Sequence, residues 1–366
     1  MPFCFQAGMV FMRELVFAAI STALSFLIYV YPLNILAHLI FHAHIIEPLT
    51  IIPTTIIALA VFVYFRTHLT SRLLSGAIYY GMGIGFIAFW VFNTGLLLSL
   101  LLPDFTAEIG LICLTISVIA SVKAILNGKS VELKTIHLTS PKIERHHNII
   151  FISDIHLGSN SKRHLEKICD KLRGLNYEHL LIGGDLFDSS SFDAEDLGLF
   201  KTLKGSIFFV TGNHEYYVKD HVEKVANLTK YNITILDNQA AQLDGLNIIG
   251  ISDNLAAKKQ AAIAEQLTSH DMFNLLMVHQ PSMWYHAPEK TDLMLSGHTH
   301  NGQIFPFNLL VRIQFRTVYG IYRRMNSSLY VSSGSGTWGP RMRLGTQNEI
   351  IQISISPEGP DHGSAR

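Results

Sequence analysis

Apolar positions are distributed unevenly along the chain. Up to about Ala124 they form long runs with few charges, and from Lys129 onward they alternate with polar segments as in a water-exposed domain. Crossing the hydrocarbon core of a bilayer takes roughly 20 apolar residues in a helix. Four runs meet that length, from Leu15 to Tyr31, Thr50 to Phe65, Ser75 to Leu102 and Glu108 to Leu126, the second interrupted by Pro53. The shorter run from Leu33 to Ile46 carries His38, His42 and His44 and is expected to be an interfacial helix with its histidines at headgroup level, rather than a metal or proton site. The pattern predicts an all-α multi-span membrane domain over 1–128, a linker over 129–147, a folded domain over 148–356 and a disordered tail over 357–366.

Charge adds the orientation. Arg13, Arg66, Arg72, Lys123, Lys129 and Lys134 flank the same ends of the four spans, while the loop from Pro32 to Leu49 has neither Lys nor Arg. Cationic loops stay on the cytoplasmic side, so both termini are expected there, in a multi-pass protein of the cell (inner) membrane whose first partner is the lipid bilayer. A fifth span would reverse the folded domain. The first apolar run is expected to be retained, since further spans follow it where a secreted chain would turn polar. Asn93 and Thr94 are the candidate polar contacts between helices, and the spans lack the acids and bases a transporter would need. Lys plus Arg and Asp plus Glu balance at 28 each, which argues against a nucleic-acid partner. Cys4, Cys113 and Cys169 show no paired spacing, and so predict neither a disulfide framework nor a thiolate metal site.

Beyond Asn148 short β-branched runs alternate with helical segments, an α/β pattern. Metal-compatible side chains follow the strands: Asp154 and His156 after the first, Asp185 and Asp188 after the second, Asn213 and His214 after the third, then His279, and finally His298 and His300. Ligands bind outside the carboxyl ends of strands in open α/β sheets, so five segments are expected to converge on one crevice. Taken singly, several of these segments read as turns, because Gly, Asn and Asp are favoured there. Their conjunction is not explained that way. Asp, Asn and His without thiolate suit Mn, Fe, Zn or Mg, and so many donors fit two divalent metal ions better than one, the arrangement used for phosphoryl displacement.

At these residues the sequence resembles the calcineurin-like metallophosphoesterases, whose ordered signatures D-x-H, G-D-x-x-D, G-N-H-E/D, a single His and G-H-x-H all occur, from Asp154 to His300. The resemblance covers roughly Asn148 to Ile355 and implies a four-layer α/β/β/α sandwich. It implies that Asp154, His156, Asp185 and His300 hold one metal and that Asp185, Asn213, His279 and His298 hold the other, with Mn the foremost candidate. It further implies a metal-bridging hydroxide as nucleophile and His214 as proton donor, oriented by Asp188. The membrane spans and the continuation Gly-His-Thr-His-Asn-Gly-Gln look like the transmembrane metallophosphoesterase subgroup, although Asn301 stands where that subgroup often has Gly and the acidic closing motif reads Thr-Gln-Asn-Glu.

Two features predict an amphiphilic substrate: the apolar stretch Ile304 to Val311, and Trp284 with Tyr285. Arg341 and Arg343 are candidate phosphate clamps. The sequence thus points to hydrolysis of a lipid-linked phosphodiester or pyrophosphate; similarity to UDP-2,3-diacylglucosamine pyrophosphatases suggests one such substrate. A phosphodiesterase for soluble nucleotides and a non-catalytic scaffold with structural metals are the alternatives.

Overall fold

A computed structural model describes residues 2–67, 72–190 and 192–358. The chain divides into two compact units, Met1–Ile125 and Leu126–Arg366. Most of the expected tail, from 359 on, lies outside the described residues.

The first unit is helical. Helix α1 (Pro2–Ser25) runs through a π-helical turn (Phe26–Val30) into α2 (Tyr31–Phe41), and α3 (Ile51–Thr67), α4 (Arg72–Leu101) and α5 (Thr106–Lys129) follow. Among the described residues four helices are long and apolar enough to cross a membrane, Glu14–Phe41, Pro48–Arg66, Leu73–Leu101 and Pro103–Lys129. Many of their large apolar side chains are exposed, Leu97, Leu100, Ile112 and Ile119 among them, as expected for surfaces that face lipid. The expected interfacial helix over Leu33–Ile46 does not form as a separate element. Its first part is the end of the first span, because the chain accommodates Pro32 instead of breaking there: the Tyr31 N–H reaches back five residues to the Phe26 carbonyl, a π-turn that makes room for the proline ring. The helix stops at His42, which is left-handed, and His38 Nδ1 lies 2.8 Å from the Ala43 carbonyl. His38 therefore closes a helix end.

Between the helices, Ile35, Leu39, Ala88, Phe92, Ile109 and Cys113 form a buried cluster. Asn93 accepts from the Tyr31 hydroxyl at 3.3 Å, across helices, whereas Thr94 bonds back to Trp90 within α4. Gly85 permits the closest approach, since a Cβ there would lie 2.0 Å from the carbonyl oxygen of Ile28, the residue four before Pro32. Gly85→Leu is expected to destabilise this unit by about 1–3 kcal/mol through overpacking. The check is thermal unfolding of the full chain in detergent, and an unchanged midpoint would refute the close approach.

The second unit opens with a departure from expectation. The segment 129–147 is not a linker: it supplies β1 (Val131–Ser140), which pairs in parallel with the last strand from Val131↔Asn348 to Ser140↔Pro357. After it come β2 (His147–Ile152), α6 (Lys162–Arg173), β3 (His179–Ile182), β4 (Ser206–Phe209), α7 (His221–Ala226), β5 (Ile233–Ile235), β6 (Gln239–Leu243), β7 (Leu246–Ile251), α8 (Ala257–Leu267), β8 (Phe273–Val278), β9 (Leu293–Ser296), α9 (Phe307–Gln314), β10 (Gly320–Arg324), β11 (Ser327–Val331) and β12 (Asn348–Pro357). They build two six-stranded sheets, ordered β1-β12-β2-β3-β4-β5 and β10-β11-β9-β8-β7-β6. In each, the four strands β2 to β5 or β7, β8, β9 and β11 run parallel, with antiparallel pairing only toward the edges.

Three apolar clusters reveal the layers. Phe151, Leu181, Ile248, Met277 and Leu295 interlock between the sheets. Ile150, Ile168, Leu172 and Phe200 fill the space between the first sheet and α6 with the turn after β3, and Ile249, Leu276, Ala264 and Trp284 do so between the second sheet and α8. The result is the expected four-layer α/β/β/α sandwich. Strands with both faces covered read as continuous apolar runs, as β2, β7 and β8 do.

Candidate metal centre

The carboxyl ends of β2, β3, β4, β8 and β9 deliver the motif residues to one place. Among the described residues three groups of ligand atoms lie within 4.8 Å of one another: Asp154, His156 and His300; His156, Asp185 and His214; and Asp185, His279 and His298. The local backbone is bent to allow this. Asp154, His156, Asp185, His298 and His300 all have positive φ, between 49° and 72°, a left-handed conformation that non-glycine residues adopt at a cost and that clusters at functional sites. Loop-to-loop bonds hold them there, from Asp154 N–H to the Gly184 carbonyl and from His156 N–H to the Asp185 carbonyl. Glycines leave the room. A Cβ on Gly297 would sit 2.2 Å from Asp154 Oδ2, and one on Gly212 would sit 2.2 Å from Asp185 Oδ1.

Nitrogen and oxygen atoms converge without satisfying one another. His156 Nε2 faces His300 Nε2 at 3.1 Å, and His279 Nε2 lies 3.1 Å from Asp185 Oδ2. Asn213 Oδ1 is buried without a hydrogen-bond partner, and His279 Nε2 meets only carboxylate oxygen. Such atoms each cost about 1–3 kcal/mol when unmet, and a divalent cation would meet several at once. The ring of His279 is fixed by its Nδ1, 2.8 Å from the Gly183 carbonyl, which leaves Nε2 facing the site in the manner of a metal-ligating imidazole. The donor set fits divalent cations.

Electrostatics separate the imidazoles into two kinds. Burial pushes His298 down to about 3 and His300 well below the ordinary histidine range, with the neighbouring charges of His279 and His156, respectively, adding to it. Both therefore stay neutral, the state that binds metal. Burial opposes protonation of His279 too, but Asp185 beside it overcomes that and raises its pKa. Asp185 is held low in turn: burial would raise it, and His279, His156 and His214 outweigh burial.

The remaining expected residues divide. His214 is half-buried at the mouth, its ring 4.7 Å from that of His156, 5.4 Å from Tyr217 and 5.6 Å from Trp338. Asp188 does not pair with it. Its Oδ2 stands 3.3 Å from His156 Nδ1 and its Oδ1 accepts from the Ser159 N–H, so the carboxylate orients His156. The nearest carboxylate to His214 Nε2 is Asp185, at 4.0 Å. Arg343 is no substrate clamp either. It is fully buried, and its guanidinium donates to Asn348, to the Ser333 and Gly336 carbonyls and to the His300 carbonyl, which makes it a support for the His300 loop. Asn348, from the altered closing motif, also donates to the carbonyls of Gly128 and Ser130. Arg341 is half-buried, with Nε donating to the Ser159 carbonyl. Trp284 belongs to the core under Arg324, while the stretch after His300 is exposed: Phe305, Leu309, Leu310 and Ile313 are each at least half accessible.

Sequence reasoning passed over Glu215. Its buried carboxylate accepts from the N–H groups of Asp185, Leu186, Phe187 and Gly212 at 2.7–3.2 Å, clasping the loops after β3 and β4. Burial and the Asp185 charge push its pKa up to about 8 against the pull of these amides. The only sequence signal was its place as the fourth residue of Gly-Asn-His-Glu.

A family model described as calcineurin-like phosphoesterase matches residues 147–302. An uncharacterized metallophosphoesterase of Campylobacter jejuni is 35% identical over 265 residues, covering 68% of this chain and 69% of its own length. One from Helicobacter pylori is 34% identical, covering 59% of this chain and 62% of its own. A transmembrane protein with metallophosphoesterase domain from Danio rerio is 32% identical, covering 57% of this chain and 52% of its own. Similarity at this level, over the residues that build the site, places the chain in the calcineurin-like metallophosphoesterase family.

Proposed function

We propose that this protein is a membrane-anchored phosphohydrolase that cleaves a phosphodiester or pyrophosphate bond with two divalent metal ions. The observation that supports this best is the position of Asp185, shared by two of the three ligand groups, as a bridging carboxylate requires. Asp154, His156, Asp185 and His300 would hold one ion and Asp185, Asn213, His279 and His298 the other; Mn is the proposed metal, with Fe, Zn and Mg compatible with the same donors. When bound, the pair supplies positive charge to the phosphoryl oxygens and acidity to the attacking water.

The chain's own contribution is orientation and one proton. His214 stands at the mouth, beside the space a leaving group would cross, and burial pushes its pKa down to about 4 in the free protein. An entering phosphate dianion or diester adds negative charge within a few ångströms and shifts it upward, toward the protonated imidazole that the departing oxygen needs as a donor. His214→Ala is expected to lower kcat by about 10²–10⁴ while bound metal stays at the level of the unmodified chain. Turnover unchanged by the substitution would remove His214 from the mechanism.

The proposed substrate is lipid-linked, of the UDP-2,3-diacylglucosamine kind, supported by the four candidate spans and by the exposed apolar side chains of α9 next to the His300 loop. The distribution of Lys and Arg supports a site at the cytoplasmic face of the cell membrane. A soluble nucleotide is the second reading, supported by Tyr217 and Trp338, whose exposed rings flank His214 and offer stacking faces. A long-chain substrate with no advantage in kcat/KM over its deacylated analogue would decide for the nucleotide.

A further inference from the structure

Beside the candidate metal centre lies a cavity of about 450 Å³ whose lining includes Asn301, Asn308, Arg312, Arg316, Tyr319 and Tyr322. Ligand cavities begin at about 300 Å³. Its wall is continuous with the metal centre: Asn301 directly follows His300, and the ring of Phe315, also in the lining, is 5.3 Å from that of His298. The Thr299 hydroxyl donates to the Val318 carbonyl and ties the two together.

No lining residue is acidic. Arg312, in the last turn of α9, and Arg316, just beyond it, make no ion pair or hydrogen bond among the described residues. Lys134 and Lys142 of the same unit, by contrast, are matched by Glu349 and Asp292. Two guanidinium groups without acidic partners on one concave surface carry ten donors in forks that suit phosphate oxygens. The Tyr322 hydroxyl accepts from the Val318 and Tyr319 N–H groups, which leaves its own proton to donate. Asn308 Oδ1 is buried without a partner; it needs a donor that a phosphate dianion lacks and that a neighbouring hydroxyl has.

We infer that this cavity is a subsite for a phosphate group carrying an adjacent hydroxyl-bearing moiety, the anionic end of a sugar or glycerol phosphate. For its role in turnover the inference rests on the phosphohydrolase reading, in which the subsite holds a second anionic group while the metal centre acts on the scissile one. The same chemistry arises from a lipid headgroup or from a free phosphate ester. The exposed Leu309, Leu310 and Ile313 on α9 make acyl chains a compatible neighbour.

Binding to the full chain in detergent, stripped of metal by EDTA, tests the subsite apart from catalysis. The probes are glycerol phosphate and hexanoyl lysophosphatidic acid, which keeps a free hydroxyl beside its phosphate, titrated by calorimetry. Arg312→Gln combined with Arg316→Gln is expected to weaken both by about tenfold or more, the loss of two charge-assisted contacts, whereas Asp185→Asn leaves both unchanged. Tighter binding of the monoacyl probe by about tenfold supports the subsite and assigns it to a lipid headgroup; equal binding supports it and assigns it to a free phosphate ester. Binding unaffected by the double substitution, binding lost in Asp185→Asn, or no binding of either probe would overturn the subsite and leave the hydrolase reading to its own test.

Discussion

Asp185→Asn is expected to lower phosphodiester hydrolysis by at least a thousandfold, about 4 kcal/mol of transition-state stabilisation, with bound metal reduced as well. Asp185 is fully enclosed, faces His279 at 3.1 Å and His156 at 3.7 Å, and accepts the His214 N–H. It is also the one group that both proposed ions share. An amide of the same shape preserves packing, so the loss would report charge and ligation rather than collapse. Circular dichroism and an unchanged elution volume verify that the variant is folded. Activity within tenfold of the unmodified chain would show that Asp185 does not bridge.

Glu215→Ala is expected to have the largest effect on stability. Removing the carboxylate strands the N–H groups of Asp185, Leu186, Phe187 and Gly212 in a buried setting. At about 1–3 kcal/mol each, even partial relaxation leaves a loss of about 4 kcal/mol, a large share of the 5–15 kcal/mol that ordinarily separates folded from unfolded protein. A fall of about 10 °C in the unfolding midpoint follows for a domain of this size. Glu215→Gln keeps one acceptor oxygen and is expected to fall between the two. If Glu215→Ala melts with the unmodified chain, the four bonds are not what shapes the loops.

The contrast between these two residues shows what a sequence makes legible. Asp185 announces itself because metal chemistry restricts the residue types, and each ligand sits directly after an apolar run that reads as a strand. Glu215 is equally enclosed, but its partners are backbone amides, which any sequence supplies, so no second motif points to it. The role of Arg343 is hidden for the same reason. An arginine near a metal centre suggests phosphate, and its carbonyl partners at Ser333, Gly336 and His300 become visible only in three dimensions. Asp188 follows β3 as expected, yet which imidazole it meets depends on the bend at positive φ around Asp154 and His156.

Among the elements, the apolar runs β2, β7 and β8 were readable, since strands covered on both faces need little polar alternation. The edge strand β1 was not: only Val131, Ile136 and Ser140 are buried along it, and its pairing partner is β12 at the far end of the chain. The first span ran further than its composition suggested because Pro32, normally a stop, is absorbed by a π-turn.

A two-ion centre that hydrolyses phosphate esters is open to direct measurement. The most direct measurement is metal content by inductively coupled plasma mass spectrometry on the full chain, loaded with Mn in detergent, read beside hydrolysis of bis-p-nitrophenyl phosphate by the same sample. About two ions per chain are expected, with activity that disappears with chelation and returns with Mn. A folded chain that binds no metal, or that hydrolyses the ester equally well after chelation, would contradict it.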